Sequence, residues 1–268
     1  MVHSNSLRRC TLPGGHVWFH LNQHETDYMH AEIFERRCYA HPRMVLPAGA
    51  CIFDVGANIG MFSLFAIGEW EPARVYAFEP IPDIYEALAN NFGQSDRVRT
   101  FDYGMAGAHG FERFVYYPRY SMMSGKYADP LKDRALVRQY VENRSFMLPN
   151  VEEGAILREH MDMLLAGRFE SVVRDCEVRP LSAVIAGLGI DRIDLLKLDV
   201  EGCELEVLSS VARDDWRKIG HAVVEVEEFD GRLAHTVALL EAHGFGVDVR
   251  QESDYVGTNL YVVFGLRG

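Results

Sequence analysis

The sequence has no G-x-G-x-x-G run, no two cysteines at metal-type spacing and no block of basic residues. The first absence speaks against a nicotinamide oxidoreductase, whose pyrophosphate site wants that glycine spacing. Arg8-Arg9 and Arg36-Arg37 are isolated pairs, and the net charge of -12 argues against a nucleic-acid backbone as partner. The five cysteines (Cys10, Cys38, Cys51, Cys176, Cys203) are read as reduced thiols. No apolar run is long enough to span a bilayer, and no N-terminal apolar run follows a charged start. The expectation is a cytoplasmic protein without membrane or nucleic-acid partners. There is also no internal repeat and no low-complexity tract. With 48% hydrophobic and 25% charged residues, 268 residues suffice for one α/β domain plus a cap or insertion.

What is present is more telling. Phe53-Asp54-Val55-Gly56-Ala57-Asn58-Ile59-Gly60 reads as a buried strand running into a glycine-bearing turn. One helix-length later, Val75-Tyr76-Ala77-Phe78-Glu79-Pro80 reads as a second strand ending in an acid. An acid there is suited to accept the hydroxyl protons of a ribose.

The alternation continues with strands at 98–103, 193–198 and 221–226, and helices at 84–91, 180–186, 204–211 and 233–243. Residues 247–250 and 260–264 read as a closing antiparallel pair, and 111–117 as a strand or hairpin arm. Near-continuous apolar strands such as Ile193–Leu198 indicate a doubly wound, mostly parallel sheet. Its ligands sit at the carboxyl ends of the strands. That rule gathers Asp54–Gly60, Glu79, Asp102–Met105, Asp199–Gly202 and Glu225–Glu227 on one rim.

Two segments fall outside the rhythm. Residues 1–49 form an N-terminal cap segment, loosely ordered over 1–15, with a short strand at 16–21 and a helix over 25–39. Residues 50–268 form the main domain, interrupted at about 118–174 by a helical insertion placed above the rim as a lid. The insertion holds helix-like runs at 130–141 and 152–165 and the loop Tyr120–Gly125.

The turn at Asp54–Gly60, the Ala77–Pro80 strand end, and Ile193–Gly202 followed by Glu204 together make the chain resemble class I S-adenosylmethionine-dependent methyltransferases of the FkbM type. The resemblance runs from about residue 50 to 264, weakly across 118–170. Residues 20–34 look like the lead-in of such domains in polyketide or nonribosomal peptide assembly. The resemblance implies a Rossmann-like seven-stranded sheet and S-adenosylmethionine as cofactor. Asp54, Gly56, Asn58 and Gly60 would then hold the methionine part, and Glu79, followed by Pro80, the ribose. Phe78 and Ile81 would lie near the adenine, with Asp102, Tyr103, Gly104 and Met105 against its edge.

The expected reaction is O-methylation of a hydroxyl on a natural product or on a carrier-bound polyketide or peptide intermediate. In the second case an acyl or peptidyl carrier protein would be a transient partner. N-, C- or sugar O-methylation and a non-catalytic cofactor-binding module stay open as alternatives. Lys197, Asp199 and Glu201 alternate along one strand end, so Asp199 and Glu201 are candidate catalytic acids beside a plain ion-pair role. His24, next to Glu25 in the cap, is the candidate histidine base. Asp199 and Glu225, with Glu227, are candidate ligands for a divalent metal such as magnesium, which is not the favoured reading.

Overall fold

The computed structural model describes residues 7–148 and 150–267. The expected looseness of residues 1–15 therefore falls partly outside the described residues. Within them, β1 (Arg8–Thr11) pairs antiparallel with β2 (Val17–His20), which corrects that reading. α1 (Gln23–His30) starts at Asn22, whose side chain accepts from the His24 N–H. The helix does not continue to residue 39. It widens into a π-type turn over Ala31–Glu35 and stops before Arg37, whose φ is +58°. Tyr39 therefore stands free of the helix.

The main domain follows: β3 (Cys51–Val55), α2 (Met61–Glu69), β4 (Arg74–Phe78), α3 (Pro82–Phe92), β5 (Val98–Phe101), β6 (Gly104–Met105) and β7 (Gly110–Tyr116). Beyond β7 come α4 (Pro130–Met147), α5 (Val151–Glu159) and α6 (Met161–Leu165). The chain returns through β8 (Val172–Arg179), α7 (Leu181–Leu188), β9 (Ile193–Leu198), α8 (Glu204–Ser209), β10 (Ile219–Glu227), α9 (Arg232–Ala242), β11 (Gly246–Arg250) and β12 (Leu260–Leu266).

The central sheet has seven strands in the order β11-β12-β10-β9-β3-β4-β5. The run from β10 to β5 is parallel, and β12 enters antiparallel between β10 and β11. This is the doubly wound, mostly parallel sheet that the alternation predicts. Every residue of β9 is buried, because helices cover both faces of a central parallel strand. One core joins α2, α3 and the N-terminal segment, and the other joins α7, α8 and α9. The chain builds outward from β3 to β4 and β5, then restarts beside β3 with β9. The switch point lies between β3 and β9, where such sheets open a ligand crevice.

The second half of the expected insertion needed correction. Residues 172–179 form a strand, and the strand read over 98–103 ends at Phe101, with Gly104–Met105 forming the separate β6. β6, β8 and β7 make a separate three-stranded sheet, with β8 antiparallel to β7 over seven register pairs. The helices between β7 and β8 stand on this base over their own apolar cluster of Tyr117, Met123, Val137, Met161 and Leu165. The helix read over 152–165 breaks at His160 into α5 and α6.

Candidate functional site: a two-chambered cleft at the switch point

The β3–α2 turn crosses the switch point on three left-handed residues, Gly56, Asn58 and Gly60, with φ of +76°, +49° and +90°. The N–H groups of Gly56 and Ala57 both donate to the Phe78 carbonyl, at 3.1 and 2.9 Å, which locks the turn onto the end of β4. Gly56 is dictated by space as well as by angle. A Cβ there would lie 1.7 Å from the Asp199 carbonyl oxygen. Backbone therefore meets backbone where β3 and β9 end.

Glu79 is tied to the same turn. Its Oε2 accepts from the Asn58 N–H at 3.1 Å and its Oε1 from the Ile81 N–H at 2.9 Å. Two of about four carboxylate lone-pair sites are so used, and the others stay free for hydroxyl donors. Burial pushes the Glu79 carboxyl up to about 7, against these hydrogen bonds and Lys197.

Beneath the turn lies Lys197, which is 3% exposed. Its Nζ donates to the Gly56 carbonyl at 2.8 Å and sits 3.3 Å from both Asp54 Oδ1 and Asp199 Oδ2. Burial opposes its charge, but Asp199 and Asp54 outweigh burial and hold the ammonium above its ordinary range. Asp54 is fully buried and takes a hydrogen bond from Ser63 at 2.7 Å. Tyr39 reaches over from the cap segment. Its hydroxyl lies 3.1 Å from both Asp199 and Glu225 and so bridges two strand-end acids.

Two chambers open on this floor. The inner one, about 560 Å³, is bounded by Gly56, Asn58, Glu79, Pro80, Gly104 and Met105, with Ile84, Phe114 and Met122 as apolar walls. The outer one, about 850 Å³, runs between the N-terminal segment and the helices that follow β7, among Tyr28, Glu32, Tyr39, Tyr140, Glu225 and Tyr255. Gly56, Asn58, Met122, Asp199 and Glu201 border both, so the chambers meet there. Glu201 has φ +51° and packs against Gly125 of the lid loop, where even one added carbon would stand 2.6 Å from its Cβ. Burial, then Asp199, Glu227 and Glu225, raise its carboxyl well above the usual range.

The expected site residues divide accordingly. Gly56, Asn58, Glu79, Pro80, Gly104, Asp199 and Glu201 come together around the inner chamber, and Glu225 borders the outer one. Asp54 and Gly60 do not line either chamber. Asp54 acts from below on Lys197, and Gly60 packs against Phe92 and Leu88. Asp102 is exposed, while Tyr103 is buried against Phe78 and Phe101. Phe78 and Ile81 are core residues, and Met105 is the apolar neighbour that does line the inner chamber.

His24 is exposed and lines neither chamber. Its neighbour Glu25 is the buried one, accepting from Ser121 Oγ at 2.8 Å and the Met122 N–H at 3.2 Å, and so joining α1 to the loop after β7. Among the described residues, no three His, Cys, Asp or Glu side chains converge to hold a metal ion, Asp199 and Glu225 included.

Sequence reasoning missed Glu32 and Tyr39. Glu32 sits on the π-type turn, accepts from Tyr28 at 2.8 Å and Tyr255 at 3.2 Å, and lies 3.6 Å from Arg36. Burial raises its carboxyl to about 7, against the pull of Arg36.

The inner chamber fits a nucleoside bearing a small charged arm. It offers a ribose-type acid, an apolar slot and a bare-backbone cradle at Gly56. Residues 54–247 match the model of the methyltransferase FkbM domain. The chain is 37% identical over 266 residues to the 31-O-demethyl-FK506 methyltransferase FkbM of Streptomyces tacrolimicus, covering 98% of each. It is 38% identical over 266 residues to the AMB antimetabolite synthetase AmbE of Pseudomonas aeruginosa. That match takes in 96% of this chain but spans only 12% of AmbE. A solved structure of methyltransferase FkbM from Methylobacillus flagellatus KT shares the fold, with a TM-score of 0.51 at 15% identity over 88% of this chain and 47% of that one.

Proposed function

Because this chain belongs to the FkbM methyltransferase family, we propose that it moves the methyl group of S-adenosylmethionine onto a hydroxyl oxygen of a natural product or of a carrier-bound polyketide or peptide intermediate. The observation that carries this reading is the junction at Asp199 and Glu201, where a nucleoside-sized chamber opens into a second, larger one. The name of the Streptomyces relative, a 31-O-demethyl-FK506 methyltransferase, supports oxygen as the acceptor atom.

When bound, the cofactor supplies an electrophilic methyl group on a sulfonium. The residues supply position and a proton acceptor. Glu79 would take the ribose hydroxyls, Pro80, Ile84, Gly104 and Met105 the base, and the Gly56–Asn58 turn the methionine part. Asp199 faces the junction with Lys197 and Tyr39 fixing its carboxylate. It accepts the acceptor's hydroxyl proton as the new oxygen–carbon bond forms. Glu201, whose carboxyl is pushed up, stands beside it as a hydrogen-bond donor to the acceptor. Met122 and the lid helices keep water from the junction.

The same proposal assigns residues 1–49 as a cap segment and the helices between β7 and β8 as a lid, and it names a carrier protein as transient partner when the acceptor is tethered. It places the chain in the cytoplasm, where its five unpaired cysteines stay reduced. No described helix is long and apolar enough to cross a membrane. The test is isothermal titration with S-adenosylmethionine and S-adenosylhomocysteine, followed by mass spectrometry of candidate hydroxyl acceptors. Binding plus a gain of one methyl on oxygen is expected, and absence of binding would end the reading.

A further inference from the structure

A sulfonium cofactor accounts for only part of the acid in this cleft. Asp199 and Glu201 border both chambers, whereas Glu32, Glu225 and Glu227 border the outer one alone. Among the described residues, Lys197 is the only lysine or arginine lining the outer chamber. It is already committed to Asp54, Asp199 and the Gly56 carbonyl. Arg36 is shared between Glu32 at 3.6 Å and Asp254 at 2.6 Å and lines an outer groove rather than the chamber.

Glu32 and Glu225 face one another's space. Both border the outer chamber and a recess of about 260 Å³, which Tyr255, Glu252 and Arg250 also line, the arginine being paired with Asp248 at 3.0 Å. Glu225 is surrounded by Asp199, Glu32, Lys197 and Tyr39, and Glu32 by Arg36, Tyr28, Tyr255 and Asp199. Burial leads in raising both carboxyls, and the cation beside each, Arg36 at Glu32 and Lys197 at Glu225, does not offset it. Among the described residues no metal-binding group of acids forms here. The walls are aromatic: Tyr28, Tyr39, Tyr120, Tyr140 and Tyr255 all line the chamber. Tyrosine faces combined with under-compensated carboxylates recognise an organic ammonium. A neutral polyol brings no charge that would draw these carboxyls into ionising.

We propose that the acceptor carries a protonated amino group, seated between Glu32 and Glu225 among Tyr28, Tyr39 and Tyr255, with its hydroxyl at the Asp199–Glu201 junction. This rests on the O-methylation reading and deepens it. A protonated nitrogen has no lone pair and cannot take the methyl group, so the ammonium anchors and the hydroxyl reacts. Charge then balances in the cleft: the incoming cation lets Glu32 or Glu225 ionise, and the proton released goes to solvent.

The experiment uses the full chain saturated with S-adenosylhomocysteine, titrated at neutral pH with 2-amino-1-phenylethanol and with its neutral analogue 1-phenyl-1,2-ethanediol. The amine is expected to bind at least about tenfold more tightly. Its heat should vary with the buffer's ionisation enthalpy in the sense of proton release, and that of the diol should not. Glu225→Gln and Glu32→Gln should each erase most of the preference, with S-adenosylhomocysteine binding as the control for folding. If one variant fails to fold, the other and the wild-type comparison still decide.

Equal affinity, tighter binding of the diol, no binding of either probe, or displacement of the amine by magnesium chloride overturns the proposal. Loss of S-adenosylhomocysteine binding by the wild-type chain would instead strike the methyltransfer reading itself.

Discussion

Lys197 and Asp199 stand 3.3 Å apart at the switch point, and the same ammonium reaches Asp54 at 3.3 Å and the Gly56 carbonyl at 2.8 Å. One buried cation thus ties the end of β9 to the floor of the β3–α2 turn. The glycine turn and the junction acid are a single electrostatic unit rather than two motifs.

Removing that cation should be costly. Lys197→Met leaves Asp54 fully buried with only Ser63 as hydrogen-bond partner. Breaking such a pair costs about 3–5 kcal/mol. Urea denaturation of wild type and variant measures it, and a loss below about 1 kcal/mol would show that the pair adds little.

The turn tests a different kind of constraint. Gly56→Ala must fit a carbon 1.7 Å from the Asp199 carbonyl, at φ +76°. Gly244→Ala faces a comparable φ of +84° with nothing within 4 Å. Both carry about 1–2 kcal/mol of backbone strain, but only the first has to push two strand ends apart. Titration should show S-adenosylhomocysteine binding lost in Gly56→Ala and kept in Gly244→Ala.

The buried acids set a pH slope. Glu32, Glu79 and Glu204 are each raised to about 7, from an ordinary value of 4.5, chiefly by burial. Between those values the folded chain holds protons that the unfolded chain has released. Stability of the free protein therefore falls as pH rises from 4.5 toward 7 and levels off above. Each acid adds at most about 1.4 kcal/mol per pH unit. Glu32→Gln, which mimics the protonated form, should flatten the slope by one group's share in urea titrations at several pH values.

Tyr39→Phe removes the one hydroxyl shared by Asp199 and Glu225. Losing a hydrogen bond to a buried charged group costs about 1–3 kcal/mol. If Asp199 accepts the acceptor's proton, kcat should fall about tenfold to a hundredfold. S-adenosylhomocysteine affinity should hardly move, because Tyr39 borders only the outer chamber. A fall in affinity with kcat intact would contradict this role.

His24→Ala should leave methyl transfer unaffected and stability within about 0.5 kcal/mol, as for other exposed positions. A large loss of activity would return His24 to the site.

The parts legible in the sequence are those where one local pattern has one physical solution. β9 is apolar enough to sit only in the middle of a parallel sheet, and the ends of β3 and β4 carry glycine and acid where a crevice opens. The losses occur where a single residue step or a distant partner decides. Neighbours on a helix point about 100° apart, so Glu25 faces inward and His24 faces water. Alternation after β5 sends Asp102 outward and Tyr103 into the aromatic stack, leaving Gly104 and Met105 for the chamber. Glu32 and Tyr39 look like ordinary polar positions until the ends of β9 and β10 are set against them. β8 is half-exposed along much of its length, and its pairing with β7 and, at its end, with β6 is what makes it a strand.

Tyr116 and Val172, the two roots of the helical insertion, are register partners in adjacent strands. A segment whose ends already touch can be lengthened, shortened or exchanged at small cost in loop entropy, without disturbing the seven-stranded sheet. The outer wall of the cleft is therefore a cassette. Grafting at these two residues would change what enters while Glu79, Pro80, Gly104 and Met105 stay in place, provided the graft keeps a stand-in for Met122, Ser124 and Gly125, which the inner chamber borrows from the insertion.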